Sequence, residues 1–192
     1  MSYEEILNYW HTGNRPEKYV RGEQRSRLAA GLIYQVAPPP ASVFEPGCNI
    51  GRNLHYLMEL GYTDLTGIEC AALPIKLGAL YYPKMAETAK IYSDMVEDVL
   101  PHVPDLTFDA TLSMAFLMHI PHEMNYILDE LARVTKSVIV TLEDEIRSSG
   151  YRWFPRNYKD EFESRGFKQT FEMCCENIPS LNERFFIRRL EK

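Results

Sequence analysis

Short apolar runs alternate with stretches of helical spacing along most of the chain. The helical spacing is most regular where Met124, Ile127, Leu128, Leu131 and Val134 fall on one face of a predicted helix. The apolar runs that predict strands cover residues 42–45, 65–69, 89–94, 108–114 and 137–142. Strands that alternate with helices are typical of a parallel sheet covered by helices on both faces. The pattern therefore predicts an α/β fold.

The two ends of the chain differ from this alternation. Residues 167–175 and 184–190 are predicted strands without a helix between them, which indicates an antiparallel hairpin. Residues 1–40 show helical spacing up to three consecutive prolines. We predict one domain over residues 1–192, in which residues 1–40 form a helical lid or cap and residues 41–192 a seven-stranded, mostly parallel sheet. The alternative for the first segment is that its aromatic side chains only dock its helices on the sheet.

Composition and charge exclude several classes of protein. A hydrophobic content of 45% and a charged content of 25% are ordinary for a soluble globular chain. The net charge of 21 − 27 = −6, without a basic run, argues against binding nucleic acid. No apolar span reaches the roughly 18 residues of a membrane helix. Cys48, Cys70, Cys174 and Cys175 have no zinc-binding spacing, so we expect reduced thiols in a cytoplasmic protein and no metal site.

The loop after the first predicted strand is rich in glycine and follows a carboxylate. Glu45 is followed by Gly47, Asn49 and Gly51, and then by a helical pattern. The loop lacks two glycines of the dinucleotide pattern, and Glu45 would repel a pyrophosphate. A carboxylate at this position suits a ligand that carries positive charge. The alternative is a plain turn between a strand and a helix.

Two further acids end the next two predicted strands. Glu69 lies 22 positions after Gly47, close to the spacing of about 20 at which an acid reaches a ribose diol. A carboxylate accepts hydrogen bonds from both hydroxyl groups of a diol. Asp94 ends the third predicted strand and is a candidate ligand-binding acid, for which Asp98 is a nearby competitor. The alternative for Asp94 is a cap of the next helix. For Glu69 the alternative is an exposed side chain at a strand end.

These residues resemble the class I S-adenosylmethionine-dependent methyltransferases, whose first motif is acid-x-Gly-x-Gly-x-Gly. Glu45, Gly47 and Gly51 match the motif, and Asn49 replaces the middle glycine, which is tolerable because Asn enters the left-handed region readily. The resemblance implies a Rossmann-like sheet and S-adenosylmethionine as cofactor, with Asp94 accepting from the adenine amino group. The predicted cofactor-binding residues are Glu45, Gly47, Cys48, Asn49, Gly51, Asn53, Glu69, Cys70, Asp94, Met95, Met114 and Phe116.

The segment after the fourth predicted strand, Met118-His119-Ile120-Pro121, resembles the histidine-containing segment of small-molecule members of this family. His119 is the candidate general base, because an imidazole titrates near pH 6.5. The alternative is a histidine that packs near the cofactor without moving a proton. Glu143 could hold a cationic substrate or belong to a solvated turn, and residues 148–156 form a loop rich in aromatics and arginine. The predicted substrate-binding residues are Trp10, Tyr19, His119, Glu143, Tyr151, Trp153 and Arg156.

The resemblance implies methylation of a small molecule, because the short chain has no added recognition domain. We expect no nucleic-acid or membrane partner, while a homodimer remains open. Two alternatives stay open: cyclisation of the aminobutyrate arm of S-adenosylmethionine, and a non-catalytic cofactor-binding subunit of a partner enzyme. The glycine loop and the closing hairpin disfavour a nicotinamide-dependent oxidoreductase.

Overall fold

Seven strands form one sheet in the part of the chain that the computed structural model describes, residues 3–13, 15–179 and 181–192. Met1, Ser2 and Asn14 of the predicted lid lie outside these residues. The strands are β1 (Val43–Pro46), β2 (Leu65–Ile68), β3 (Lys90–Tyr92), β4 (Phe108–Met114), β5 (Thr135–Asp144), β6 (Lys168–Cys174) and β7 (Phe185–Glu191). Their order is β3-β2-β1-β4-β5-β7-β6. The first five are parallel, and β7 runs antiparallel to both β5 and β6, which confirms the predicted sheet and hairpin.

Helices connect the parallel strands and precede the sheet. They are α1 (Tyr3–Asn8), α2 (Glu23–Tyr34), α3 (Arg52–Glu59), α4 (Ala72–Tyr81), α5 (Pro83–Thr88), α6 (Val96–Val99), α7 (Tyr126–Val134) and α8 (Tyr158–Glu163). A π-helical turn, Tyr9–Gly13, continues α1. Short 3₁₀ turns cover Pro16–Val20, Leu100–His102, Leu117–His119 and His122–Met124. Within the described residues, none of these helices has the length and apolarity needed to cross a membrane.

Side chains of the central strands alternate between two hydrophobic clusters, one on each face of the sheet. In β5, Val138 and Val140 pack into the cluster that contains residues of α2 and α3, and Ile139 packs into the cluster that contains residues of α7 and α8. Successive residues of a strand point to opposite faces, so a strand buried on both faces must be apolar at nearly every position. This explains why the central strands appear in the sequence as continuous apolar runs.

The structure corrects three predicted boundaries. Strand β5 continues through Glu143 and Asp144, because both still pair with β7. Strand β3 is limited to Lys90–Tyr92, the residues that pair with β2. The predicted helix whose apolar face starts at Met124 begins at Tyr126, because Met124 belongs to the 3₁₀ turn His122–Met124.

Candidate functional site

A cavity lies at the carboxyl ends of β1, β2 and β4, which meet at one edge of the sheet. Its lining comes from five segments: the end of β1 with the loop after it and the first turn of α3, the end of β2 with Cys70, residues 94–97, residues 114–116 with His119 and Ile120, and four residues of the N-terminal segment. Those four residues are Ile6, Leu7, Trp10 and Tyr19. The cavity therefore lies between the sheet edge and the segment that precedes the sheet.

The glycine loop enters the left-handed region at three alternate positions. Gly47 has φ 63°, Asn49 has φ 51° and Gly51 has φ 70°. As predicted, Asn49 adopts the conformation of the glycine that it replaces. A Cβ atom at Gly47 would lie 2.4 Å from Cδ2 of Phe116. The loop can therefore approach the segment after β4 only with glycine at this position.

The Glu69 carboxylate joins the end of β2 to the glycine loop. Its Oε2 accepts a hydrogen bond from the backbone N–H of Asn49 at 3.0 Å, and its Oε1 accepts from the N–H of Ala71 at 2.9 Å. Burial raises the pKa of Glu69, and these two N–H groups oppose the rise. Each carboxylate oxygen can accept about two hydrogen bonds. Because Oε1 also accepts from the Cys70 thiol, the remaining acceptor capacity of Glu69 is on Oε2.

Glu45, at the end of β1, is buried beside the same loop. Its Oε1 accepts a hydrogen bond from Nδ2 of Asn53, while its buried Oε2 has no partner among the described residues. Burial raises the pKa of Glu45 to about 8. Without a cation beside it, the carboxyl is therefore mostly protonated at pH 7. A ligand that brings a positive charge or an N–H donor to Oε2 would stabilise the ionised form.

Arg52, which sequence reasoning missed, connects the N-terminal segment to the first turn of α3. Its Nη1 donates to the carbonyl oxygens of Tyr19 and Arg21 at 2.6 and 2.7 Å. Its Nε donates to Oγ of Ser26 at 2.8 Å, and Ser26 in turn donates to Oδ1 of Asn53 at 2.6 Å. Arg52 is only 5% exposed. This network fixes residues 19–26 beside the glycine loop.

His119 and Trp10 form the other end of the cavity. Their ring centroids are 4.6 Å apart. Nδ1 of His119 lies 2.6 Å from the carbonyl oxygen of Arg152, and because a carbonyl can only accept, Nδ1 carries the proton. The other nitrogen, Nε2, is then an acceptor, and no hydrogen bond within the described ranges uses it. Burial lowers the pKa of His119 to about 4, so the imidazole is neutral at physiological pH.

Solved structures with this arrangement of strands include several methyltransferases. The Burkholderia thailandensis 1,6-didemethyltoxoflavin-N1-methyltransferase, with bound 1,6-didemethyltoxoflavin and S-adenosylhomocysteine, matches with a TM-score of 0.73 at 16% identity, covering 98% of this chain and 86% of that one. The Synechocystis PCC 6803 magnesium protoporphyrin IX methyltransferase with bound S-adenosylmethionine matches with a TM-score of 0.75 at 13% identity, covering 100% and 98%. A Haloferax volcanii methyltransferase candidate in complex with the Trm112 methyltransferase activator has a TM-score of 0.69 at 14% identity, covering 97% of each chain. At these identities the similarity establishes the fold.

The comparison with curated protein sequences finds no match. The family is shown by a sequence model of a protein family. A family model described as a methyltransferase domain matches residues 44–138, from β1 into β5. This chain is a class I S-adenosylmethionine-dependent methyltransferase. The matched residues contain the glycine loop, the acids at the strand ends and His119.

The cavity of this methyltransferase fits the donor and acceptor groups of S-adenosylmethionine. Its lining offers an unpartnered carboxylate oxygen on Glu45, spare acceptor capacity on Glu69, and a glycine at position 47 where a Cβ would collide with Phe116. Carboxylates suit a cofactor that carries an ammonium group, a sulfonium and a ribose diol. We therefore treat this end of the cavity as the cofactor end.

The structure brings most of the predicted site residues to this cavity. Of the predicted cofactor-binding residues, eleven line it: Glu45, Gly47, Cys48, Asn49, Asn53, Glu69, Cys70, Asp94, Met95, Met114 and Phe116. Gly51 does not, because it faces α5, where a Cβ would lie 2.4 Å from Cε of Met85. Among the predicted substrate-binding residues, the cavity is lined by Trp10, Tyr19 and His119 and not by Glu143, Tyr151, Trp153 or Arg156.

Glu143 has a different role from the predicted one. It is fully buried in β5, and its carboxylate accepts hydrogen bonds from the Ser113 hydroxyl and from the backbone N–H groups of residues 116–118 at 2.7 to 3.2 Å. Burial raises the pKa of Glu143 to about 7 against these four donors. Glu143 therefore holds the segment that carries Phe116 and His119 and does not line the cavity.

Arg156 is likewise a buried support of this segment. Its Nη1 and Nη2 donate to the carbonyl oxygens of Ile120 and Pro121 at 2.8 and 2.9 Å, and its Nε donates to Oδ1 of Asn125 at 2.9 Å. The N–H donors of the Arg156 guanidinium are used by protein acceptors, which explains why Arg156 does not line the cavity as a substrate-binding residue. Tyr151 is 63% exposed on the preceding loop.

We expect the His119 imidazole not to titrate between pH 5.5 and 8. Burial disfavours the charged form and places its pKa near 4, so the ring stays neutral throughout this range. Nuclear magnetic resonance of the ring protons, assigned with the variant His119→Asn, measures the titration directly. A titration midpoint near 6.5 for His119 would contradict the buried, neutral assignment.

Proposed function

We propose that this methyltransferase methylates a small molecule whose acceptor group lies between Trp10 and His119. One observation carries the proposal: Ile6, Leu7 and Trp10 of the N-terminal segment line the same cavity as Glu45 and Glu69. In this proposal residues 1–40 act as a lid within a single domain of residues 1–192. A cavity covered by the chain itself suits a ligand that can be enclosed, and a net charge of −6 does not favour a nucleic-acid substrate.

The acceptor end of the cavity suits an uncharged, flat group. Its lining consists of the rings of Trp10, Phe116 and His119 together with the aliphatic side chains of Leu7 and Ile120. The neutral imidazole offers Nε2 as an acceptor, so an acceptor O–H or N–H of the substrate would donate to it. We assign His119 this orienting role in place of the predicted general base, because a pKa near 4 leaves little proton affinity at neutral pH.

S-adenosylmethionine supplies the electrophilic methyl group. The protein's part is to bring the acceptor atom into line with that methyl, and alignment of two reactants can lower a barrier by roughly 7–11 kcal/mol at the favourable limit. At the cofactor end, Glu69 would accept from the ribose hydroxyls, Glu45 from the ammonium group and Asp94 from the adenine amino group, with Met95 against the base. These assignments rest on the cavity lining and on the free acceptor capacity of the two glutamates.

Replacing Glu69 with glutamine will weaken binding of S-adenosylhomocysteine roughly 10- to 100-fold, because hydrogen bonds to a charged acceptor contribute about 1.5–3 kcal/mol. Glutamine has a similar shape, removes the charge and keeps one acceptor oxygen, enough for one of the two backbone N–H groups of Asn49 and Ala71. Calorimetric titration measures the affinity. Glu123→Gln, at an exposed acid outside the cavity, is the matched control and should bind like the wild type. Equal affinity of Glu69→Gln and wild type would remove Glu69 from the site.

Incubation with methyl-labelled S-adenosylmethionine and a metabolite extract tests the function itself. Parallel reactions with total RNA and with a protein extract provide the competing acceptors. We expect label in the small-molecule fraction and S-adenosylhomocysteine as by-product. Methylthioadenosine would indicate loss of the aminobutyrate arm, and label only in RNA or protein would contradict a small-molecule acceptor. Cofactor binding without turnover in any fraction would favour a cofactor-holding subunit.

A further inference from the structure

Two arginines and three aromatic rings form a cluster at the His119 end of the cavity. The arginine–aromatic cluster comprises Tyr9, Trp10, Arg147, Arg152 and Trp153. The Arg152 guanidinium carbon lies 3.5 Å from the ring centroid of Tyr9 and 5.0 Å from that of Trp153. The Arg147 guanidinium carbon lies 4.0 Å from the Trp153 centroid. The cluster thus joins the N-terminal segment to the loop between β5 and α8.

Both guanidinium groups lack an anionic partner. Across the described ranges, no carboxylate forms an ion pair with Arg147 or Arg152, and the buried Nε of Arg152 has no acceptor. Some other arginines within the described residues do form ion pairs: Arg133 with Asp105 and Glu130, for example. Aromatic faces attract the charge of a guanidinium but leave its planar N–H donors unused.

The cluster borders the acceptor end of the cavity. Trp10 belongs to both the cluster and the cavity lining, and the backbone carbonyl of Arg152 accepts the hydrogen bond from His119. The positive charges of Arg152 and Arg147 both lower the pKa of His119, so their field reaches the imidazole, and the Asp144 carboxylate opposes them with a smaller effect. In a chain of net charge −6, this is a local positive region next to a site where we place the substrate.

We propose that Arg147 and Arg152 bind an oxyanion, a carboxylate or a phosphate, carried by the substrate whose acceptor group lies at His119. The proposal rests on the small-molecule function proposed above. A guanidinium binds such groups with two parallel N–H donors, and stacking on aromatic rings holds its plane in place. The substrate class is therefore a flat, largely apolar molecule with one anionic group beside the group that is methylated.

The chain contains two tryptophans, Trp10 and Trp153, and both lie in the cluster, so intrinsic fluorescence reports on this site. The protein is first saturated with S-adenosylhomocysteine and then titrated with benzoate, with phenyl phosphate and with neutral benzamide. We expect a saturable change of tryptophan emission with at least one anion and none with benzamide. The tighter of the two anions identifies the group as carboxylate or phosphate.

Matched arginine variants separate the cluster from general charge. Arg152→Gln and Arg147→Gln should each weaken anion binding roughly tenfold or more. Arg27→Gln, which removes the same charge from an exposed arginine that pairs with Glu23 and Glu59, should bind anions like the wild type. Circular dichroism checks the fold. If Arg152→Gln does not fold, Arg147→Gln decides the matter, because among the described residues the Arg147 guanidinium stacks only on Trp153.

No saturable change with either anion, an equal change with benzamide, or unweakened anion binding in the folded arginine variants would overturn the proposal. These outcomes are independent of turnover. A chain that binds anions at the cluster but labels only RNA or protein would contradict the small-molecule function, whereas labelled neutral metabolites together with absent anion binding would contradict the oxyanion site alone.

Discussion

Replacing Glu143 with alanine will lower the free energy of unfolding by roughly 3–5 kcal/mol, one of the two largest effects that we expect. The change removes the acceptor of the Ser113 hydroxyl and of three consecutive backbone N–H groups, those of Phe116, Leu117 and Met118. Buried donors without an acceptor cost about 1–3 kcal/mol each, and only part of this cost can be relieved by solvent. Urea denaturation at pH 8, above the Glu143 pKa of about 7, measures the loss with the carboxylate ionised.

Two variants control for this result. Glu143→Gln keeps an acceptor oxygen and should lose less stability than Glu143→Ala. Glu123→Ala, at an exposed acid, should stay within about 0.5 kcal/mol of the wild type. A Glu143→Ala variant that unfolds at the wild-type urea concentration would show that the segment after β4 does not depend on this carboxylate.

The cofactor end of the site could be predicted because its signals are local in the sequence. An acid, a glycine and the start of a helix within a few residues define the turn after β1, and the left-handed Asn49 agrees with the turn chemistry. Glu69 ends β2, and parallel strands bring their carboxyl ends to one edge of the sheet. The parallel topology therefore brings the glycine loop and Glu69, which are separated in the sequence, to one cavity.

Glu143 shows why the substrate end was harder to predict. The three acids at residues 143–145, after an apolar run, fit a solvated turn, a cation site or a buried anchor equally well. The outcome is decided by the backbone N–H groups of residues 116–118, which have no signature in the sequence. The same holds for Arg52 and Arg156, because their principal partners are carbonyl oxygens 31 to 36 positions away.

His119 illustrates a different limit. Its position after β4 was predictable, and the structure places it in the cavity lining. Its chemistry was not, because an ordinary imidazole pKa near 6.5 suggests a base. Burial among the ring of Trp10 and the loop that carries Arg152 lowers the pKa of His119 to about 4. Trp10 and Arg152 lie more than 30 positions away from His119, one on each side of it in the sequence.

Replacing Gly47 with alanine will weaken binding of S-adenosylhomocysteine roughly 10- to 100-fold. The new Cβ would lie 2.4 Å from Cδ2 of Phe116, and φ at this position is 63°. A left-handed conformation at a residue other than glycine costs about 1–3 kcal/mol, and the ring of Phe116 must also move. Because Gly47 and Phe116 both line the cavity, either adjustment changes the cofactor end. Calorimetric titration with S-adenosylhomocysteine measures the affinity.

Gly31→Ala provides the matched control, since the same substitution there meets no atom within 4 Å and lies in the interior of α2. Alanine in a helix interior is favoured over glycine by roughly 0.5–1 kcal/mol, so this variant should be slightly more stable than the wild type. It should bind S-adenosylhomocysteine as tightly as the wild type does. If Gly47→Ala kept wild-type affinity, the glycine loop would have to lie away from the bound cofactor. The assignment of Glu45 and Glu69 to the cofactor would then lose its geometric basis, because Glu69 is bonded to that loop through Asn49.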